Sequence, residues 1–212
     1  MHTHTAETQK SLTPKQAVEI LREGNERFRA NLRANRDLLA QRNETREGQW
    51  PFAAILSCID SRTSAELIFD QGLGDIFSIR IAGNFLNEDI LGSLEFACAI
   101  AGTKLVVVLG HSGCGAIKGA CDGVEMGHLT ALLGKIRPAV EAVADPSEPA
   151  LRTSSNADFV DAVARKNVQR TVEAVESGSS VLRELREIGQ IDVVGAMYDL
   201  DSGRVDFLDS RA

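Results

Sequence analysis

The feature that most constrains this chain is a set of short segments that are apolar at nearly every position. Residues 52–58 and 105–109 are the clearest, and polar residues or glycines follow each of them directly. A strand without alternating polar residues is typical of a parallel sheet whose two faces are both covered by helices. Residues 75–82 and 191–200 are also predicted strands, and 204–208 completes a final hairpin that would add an antiparallel edge strand.

Helical segments separate the predicted strands. Thr13 is a suitable N-cap, and Pro14 fits the first turn of a helix that we expect to reach about residue 31. Further helices are predicted at 35–46, 64–69, 87–101, 115–121, 129–143, 156–177 and 180–188. Because strands and helices alternate, the sequence predicts an α/β fold. It would have a mostly parallel central sheet of four strands, the added antiparallel edge strand and helices on both faces.

The chain is predicted to form one domain. With 212 residues it can bury a core without disulfides or a metal. Residues 1–12 are polar and are predicted to be a disordered tail, whereas 13–212 would form a single domain with an N-terminal helical arm at 13–46. The helix at 87–101 is apolar nearly all round, so we expect it to be buried on several sides.

Composition excludes several classes of protein. The chain has 23 basic and 30 acidic residues and a net charge of −7, so it should repel the phosphate backbone of nucleic acids. No apolar stretch reaches the roughly 18 residues of a membrane span. The polar start shows no secretory signal, and four cysteines are too few for a disulfide scaffold. We therefore expect a cytoplasmic protein that binds neither nucleic acid nor membrane, and whose cysteines are thiols, metal ligands or core residues.

Polar and metal-binding side chains follow two of the predicted strands. Cys58, Asp60 and Arg62 come after the first strand, and His111 and Cys114 come after the third, among glycines that permit tight turns. In open α/β sheets, ligands bind beyond the carboxyl ends of the strands, so these side chains should meet. Two cysteines and one histidine without an obvious fourth ligand indicate a catalytic zinc site rather than a closed structural one.

Asp60 and Arg62 indicate how such a site could stay open. Residues two apart on extended backbone share a face, so Asp60 is expected beside Cys58. A free carboxylate there would become a fourth ligand, whereas Arg62 can hold it back through a bidentate ion pair. Two other interpretations remain. The ion pair could simply stabilise the turn, or the zinc could be a closed structural site in a non-catalytic interaction module.

Two motifs, Cys58-Ile-Asp-Ser-Arg62 and His111-Ser-Gly-Cys-Gly-Ala116, resemble the signature motifs of the β-class carbonic anhydrases. The resemblance extends from about Leu12 to Leu208. It implies reversible hydration of carbon dioxide to bicarbonate and a proton by a zinc-bound hydroxide. One Zn²⁺ per subunit would be held by Cys58, His111 and Cys114, and Asp60 and Arg62 would be the catalytic residues. The same scaffold also serves hydrolases of carbonyl sulfide or carbon disulfide, which are the alternative enzymatic interpretation.

The resemblance also implies a substrate pocket and an assembly. The pocket usually spans a dimer interface, so self-association as a dimer or tetramer is expected. At the positions of Ile55 and Ser57, a bicarbonate-regulated subgroup of the family carries Trp and Gly. The resemblance therefore favours the constitutively open type of site. The residues that would line the pocket are Gln49, Phe77, Ala82, Phe96 and Gly115.

Overall fold

A computed structural model describes residues 3–208 of the chain. Its central sheet has five strands. The strands are β1 (Ala53–Ser57), β2 (Ile76–Arg80), β3 (Leu105–His111), β4 (Asp192–Tyr198) and β5 (Val205–Leu208). Their spatial order is β2-β1-β3-β4-β5, with the first four strands parallel and β5 antiparallel to β4. The predicted α/β fold is therefore confirmed, including the single antiparallel edge strand.

Nine α-helices in the described part of the chain connect or flank these strands. They are α1 (Ala6–Ser11), α2 (Pro14–Arg29), α3 (Leu38–Glu44), α4 (Ala65–Ile68), α5 (Glu88–Glu95), α6 (Gly115–Cys121), α7 (Gly127–Ala142), α8 (Ala157–Gly178) and α9 (Ser180–Glu187). A π-helical turn at Phe96–Ile100 extends α5, and a 3₁₀ turn lies at Pro149–Leu151. No helix among residues 3–208 combines the length and hydropathy needed to cross a bilayer.

Two of the three inner strands, β1 and β3, are buried at every position because helices cover both faces of the sheet. Side chains alternate between faces along a strand. Leu56 and Val108 point into a cluster formed with α5, α7, α8 and α9, whereas Ile55 and Val107 point into a cluster formed with α2 and α4. Both sets of side chains lie in apolar surroundings, which explains the continuous apolar runs in the sequence.

The predicted disordered tail at residues 1–12 is wrong over Ala6–Ser11, where the chain forms α1. Thr5 and Thr8 form a reciprocal capping box at its start. The side chain of Gln9 is buried and donates hydrogen bonds of 2.8 Å to the carbonyls of Pro51 and Ala101. Polar contacts rather than an apolar stripe hold this helix, so apolar periodicity did not reveal it. Residues 1 and 2 lie outside the described part of the chain.

The helix predicted at 87–101 is less buried in the single chain than expected. Ile90 and Leu94 are buried, but Phe96 exposes 53% and Ile100 75% of its surface. Phe96–Ile100 is a π-helical turn, in which Ala97 and Cys98 face the core whereas Phe96 and Ile100 face outward. One face of this element is therefore apolar and solvent-facing in the described chain.

Asp70 joins the N-terminal arm to the body of the domain. Its carboxylate accepts hydrogen bonds from Arg27 Nε at 2.5 Å, Arg36 Nη1 at 2.6 Å and the backbone nitrogen of Ala34 at 3.1 Å. Burial opposes ionisation of this group, but the three donors outweigh burial and lower the pKa of Asp70. Asp70 has a φ of 44°, a left-handed conformation that Asp and Asn tolerate.

Asp70→Asn is expected to lower the free energy of unfolding by about 3 kcal/mol, because Arg27 and Arg36 lose their counter-charge while the backbone conformation stays acceptable. A carboxylate whose pKa is lowered by folding stabilises the protein above the pKa of the unfolded carboxyl group. That stability is lost as the pH falls through the folded value. Urea titrations should therefore show a larger difference between wild type and variant at pH 7 than at pH 3. An equal difference at both pH values would contradict the electrostatic role.

Candidate metal centre

Three donor side chains converge where β1 and β3 end. The strands are parallel neighbours with Ser57 opposite Leu109, so Cys58 and His111 emerge at the same edge of the sheet. Cys114 follows a tight turn and is the N-cap residue of α6. The sulfur atoms of Cys58 and Cys114 and a ring nitrogen of His111 lie within 4.8 Å of one another, and all three residues are buried. The structure thus brings together the three ligands predicted from the sequence.

A contact with the neighbouring residue decides which ring nitrogen of His111 is available as a ligand. His111 Nδ1 lies 2.9 Å from the carbonyl oxygen of Ser112. Because a carbonyl oxygen only accepts hydrogen bonds, Nδ1 is the donor in this contact, and Nε2 is the nitrogen left to bind a metal. Among residues 3–208, Nε2 is buried and has no hydrogen-bond partner. A buried acceptor without a partner is costly in a folded protein, and a metal ion is a partner of suitable chemistry.

The two sulfur atoms also suit zinc. They lie 3.9 Å apart. A tetrahedral zinc with Zn–S bonds of about 2.3 Å would hold two sulfurs about 3.8 Å apart. Two cysteine sulfurs and one imidazole nitrogen form a donor set that favours zinc over magnesium or calcium, which prefer oxygen ligands. This Cys–His–Cys group could therefore bind a zinc ion.

The thiols influence each other strongly. The Cys114 thiol, as a hydrogen-bond donor, holds the pKa of Cys58 well below its usual range, although burial opposes this shift. The same contact, together with burial, raises the pKa of Cys114. Without a cation, one buried thiolate therefore suppresses ionisation of the other. A divalent ion between the sulfurs would remove that conflict, because both cysteines could bind it as thiolates.

Gly83 contributes a further contact to Cys58. Its backbone nitrogen donates to Cys58 Sγ at 3.4 Å, and its carbonyl accepts a 2.8 Å hydrogen bond from the buried Asn167 on α8. Gly83 has a φ of 78°, and a Cβ there would lie 2.4 Å from Ile136 Cδ1. The positive φ therefore favours glycine, and a larger residue would also force the Ile136 side chain to shift. Neither Gly83 nor Asn167 was predicted from the sequence, although a glycine just after a strand end is a usable signal.

Asp60 and Arg62 form the bidentate pair expected from their spacing. Arg62 Nε donates to Asp60 Oδ1 at 2.9 Å, Arg62 Nη2 donates to Oδ2 at 2.7 Å, and the Arg62 backbone nitrogen donates to Oδ1 at 3.0 Å. These hydrogen bonds hold the pKa of Asp60 well below its usual range. Asp60 Oδ2 is 4.0 Å from His111 Nε2, so an ionised carboxylate lies beside one of the three donor residues.

The residues predicted to line a pocket lie in different places. Phe77 and Phe96, with ring centroids 6.4 Å apart, line a cavity of about 600 Å³ beside β2 and α5. Ala82 immediately precedes Gly83, and Gly115 immediately follows Cys114, so each is a chain neighbour of the centre. Gln49 lines a separate cavity with residues of α3 and its C-terminal loop. In the described chain, Gln49 is therefore not brought to the cavity of Phe77 and Phe96.

Arg80 is a further contact of this centre that was not predicted. It is the last residue of β2, and its guanidinium binds the backbone carbonyls of Cys58 and Asp60. The sequence signal that could have indicated this contact is a charged residue at the carboxyl end of a predicted neighbouring strand. Its partners could not be predicted without the register of β2 against β1.

Comparisons with known proteins agree with this centre and fold. A family model described as carbonic anhydrase matches residues 53–205. Carbonic anhydrase 2 of Mycobacterium tuberculosis is 40% identical over 192 residues, which cover 90% of this chain and 91% of the relative. A carbonic anhydrase of Mycolicibacterium smegmatis is 34% identical over 196 residues, with 91% and 92% covered. A tetrameric β-carbonic anhydrase of Sordaria macrospora superposes with a TM-score of 0.68 at 25% identity, covering 79% of this chain and 85% of that one.

Proposed function

This chain belongs to the β-carbonic anhydrase family, and we propose that it hydrates carbon dioxide reversibly to bicarbonate and a proton at a zinc site. Cys58, His111 and Cys114 would hold the ion. The observation that carries this proposal is the convergence of two cysteine sulfurs and a His111 ring nitrogen within 4.8 Å, together with a buried His111 Nε2 that has no hydrogen-bond partner among residues 3–208. The chemistry that a bound zinc supplies is Lewis-acid activation of water near neutral pH.

The chain's own residues would orient the attacking water and keep the site open. The Asp60 carboxylate is ionised and can accept a hydrogen bond from the attacking water, which orients its oxygen toward the substrate. Arg62 binds both carboxylate oxygens, so Asp60 is restrained from moving onto the metal as a fourth ligand. Cys58 and Cys114 together would contribute two negative charges to the centre. A carboxylate held this way acts as a fixed acceptor rather than as a ligand.

The substrate can be tested directly by comparing three linear triatomic molecules. We expect stopped-flow assays with a pH indicator to show faster turnover of carbon dioxide than of carbonyl sulfide or carbon disulfide, measured at equal concentrations. The comparison uses protein that carries one zinc per chain. Faster turnover of either sulfur compound would replace hydration with hydrolysis as the activity of this centre. No turnover of any of the three by zinc-loaded protein would favour a structural zinc site.

We also propose self-association as a dimer or tetramer. Its support is the exposed apolar surface in the described chain, namely Phe96 and Ile100 beside the edge strand β2 and Leu32, Leu38 and Leu39 on the arm. Exposed apolar patches of this kind mark interfaces between chains. Light scattering after size exclusion should therefore give a multiple of the 22.9 kDa chain mass. A mass of one chain at micromolar concentration would contradict this proposal.

We also propose a cytoplasmic location, and its support is that the cysteines form no disulfide bonds. All four, Cys58, Cys98, Cys114 and Cys121, are free in the structure. Zinc binding by Cys58 and Cys114 requires reduced sulfurs, which a reducing compartment maintains.

A further inference from the structure

Arg80 makes an unusual pair of contacts for a side chain on an edge strand. It lies opposite Ser57, the last residue of β1. Its Nε donates to the carbonyl oxygen of Cys58 at 2.9 Å, and its Nη2 donates to the carbonyl oxygen of Asp60 at 2.6 Å. Both acceptors are backbone atoms, so Arg80 fixes the main chain that carries the two side chains.

Other contacts of this segment are mostly local. The Asp60–Arg62 pair joins residues two apart, so it would move together with the segment. The buried Thr63 also binds both carbonyls, with Oγ1 at 3.2 Å from Cys58 O and 2.9 Å from Asp60 O. A hydroxyl has one proton to share between the two acceptors. Arg80 instead gives each carbonyl its own N–H from a different strand.

We propose that Arg80 is a positioning residue, which holds residues 58–60 so that Cys58 and Asp60 keep their places beside His111 and Cys114. This inference rests on the proposed zinc-dependent function. Rotation of the peptide units in this segment would redirect the Cys58 sulfur and the Asp60 carboxylate together. Arg80 holds Cys58 at its carbonyl oxygen. Three residues later, the backbone N–H of Gly83 holds Cys58 at its sulfur.

The two-point contact requires the planar guanidinium. Arg80 presents separate N–H groups to two carbonyls at once, and its fixed fork sets their relative position. A lysine ammonium is a single point of charge on a flexible stem, so Arg80→Lys should retain only part of the effect. A glutamine amide is shorter and uncharged, so Arg80→Gln should lose both contacts.

Zinc retention provides a test that does not depend on activity. We expect Arg80→Gln to lose zinc to a chromogenic chelator about 10-fold faster than wild type and to lower kcat about 10-fold, since partners around metal ligands typically change affinity or activity by 10- to 100-fold. Arg80→Lys should fall between the two proteins. Arg137→Gln is the matched control. It removes the same charge from an exposed arginine that pairs with Glu141 on α7, and it should behave as wild type.

The outcomes separate positioning from general stability. If folded Arg80→Gln loses zinc no faster than Arg137→Gln, Arg80 does not position the centre. A merely structural role would lower the unfolding midpoint of the zinc-free protein and leave zinc loss from folded protein unchanged. Should Arg80→Gln fail to fold, Arg80→Lys decides, and wild-type zinc retention in that variant overturns the proposal. An inactive wild-type protein would overturn the proposed function, whereas the zinc-loss comparison would still test Arg80.

Discussion

Asp60→Asn is expected to lower kcat for carbon dioxide hydration at least 100-fold while leaving zinc bound. The carboxylate stands 4.0 Å from His111 Nε2 and accepts three hydrogen bonds from Arg62. Asparagine has nearly the same shape, but one carboxylate oxygen becomes an NH₂ group that can only donate. The charged hydrogen-bond acceptor for the attacking water is then lost, and removal of one fixed hydrogen-bonding group from an active site typically lowers kcat about 10²- to 10³-fold.

The measurement for Asp60→Asn combines stopped-flow hydration with zinc content per chain. Asp158→Asn is the matched control, because Asp158 is an exposed residue in the first turn of α8. It should retain wild-type kcat. An unchanged kcat in Asp60→Asn would show that the carboxylate does not take part in the reaction. Loss of zinc from this variant would instead show that Asp60 helps to hold the metal, contrary to its restraint by Arg62.

The donor residues were predictable because the fold dictates where they meet. Continuous apolar runs indicated that β1 and β3 are inner strands of a parallel sheet, and parallel strands end at the same edge. Cys58 directly follows β1, and His111 is the last residue of β3. The closeness of these two side chains could therefore be predicted without knowledge of loop conformation. Gly113, with a φ of 63°, then allows the turn that brings Cys114 to the same place.

The contacts around the donors were less predictable because they depend on register and on distant helices. Arg80 reaches the carbonyls of Cys58 and Asp60 because β2 pairs with β1 in the register that sets Arg80 opposite Ser57. A shift by one residue would turn its side chain to the other face. Asn167 binds Gly83 across 84 positions of the sequence. No local pattern in the sequence reports either contact.

The N-terminal region shows a different limit of sequence reasoning. α1 has no apolar stripe, and it is held by the Thr5–Thr8 capping box and by the buried amide of Gln9. Polar contacts to specific carbonyls leave no periodic signal. The ion pairs of Asp70 with Arg27 and Arg36, which attach the arm to the domain, leave no periodic signal either. Hydrophobic periodicity thus identified the sheet and its covering helices but not the polar attachments at their margins.

Cys114→Ser is expected to abolish tight zinc binding and to lower hydration at least about 1000-fold at neutral pH. Serine keeps the backbone and the N-cap position of α6, but its hydroxyl is a poor ligand for zinc and does not ionise near pH 7. Without the metal, water near the site keeps its ordinary pKa, far above neutral, so hydroxide is scarce at pH 7.

The measurements for Cys114→Ser are zinc content, stopped-flow hydration and recovery after zinc is added back. Wild-type protein treated with a chelator should lose activity and regain it with zinc, whereas Cys114→Ser should not regain it. Cys121→Ser is the matched control, because Cys121 lies at the end of α6 and is outside the group of three donors. Full zinc content and activity in Cys114→Ser, or loss of zinc in Cys121→Ser, would show that the ion is held by a different set of residues. Wild-type protein that stays fully active after complete zinc removal would exclude a zinc-dependent reaction at this centre.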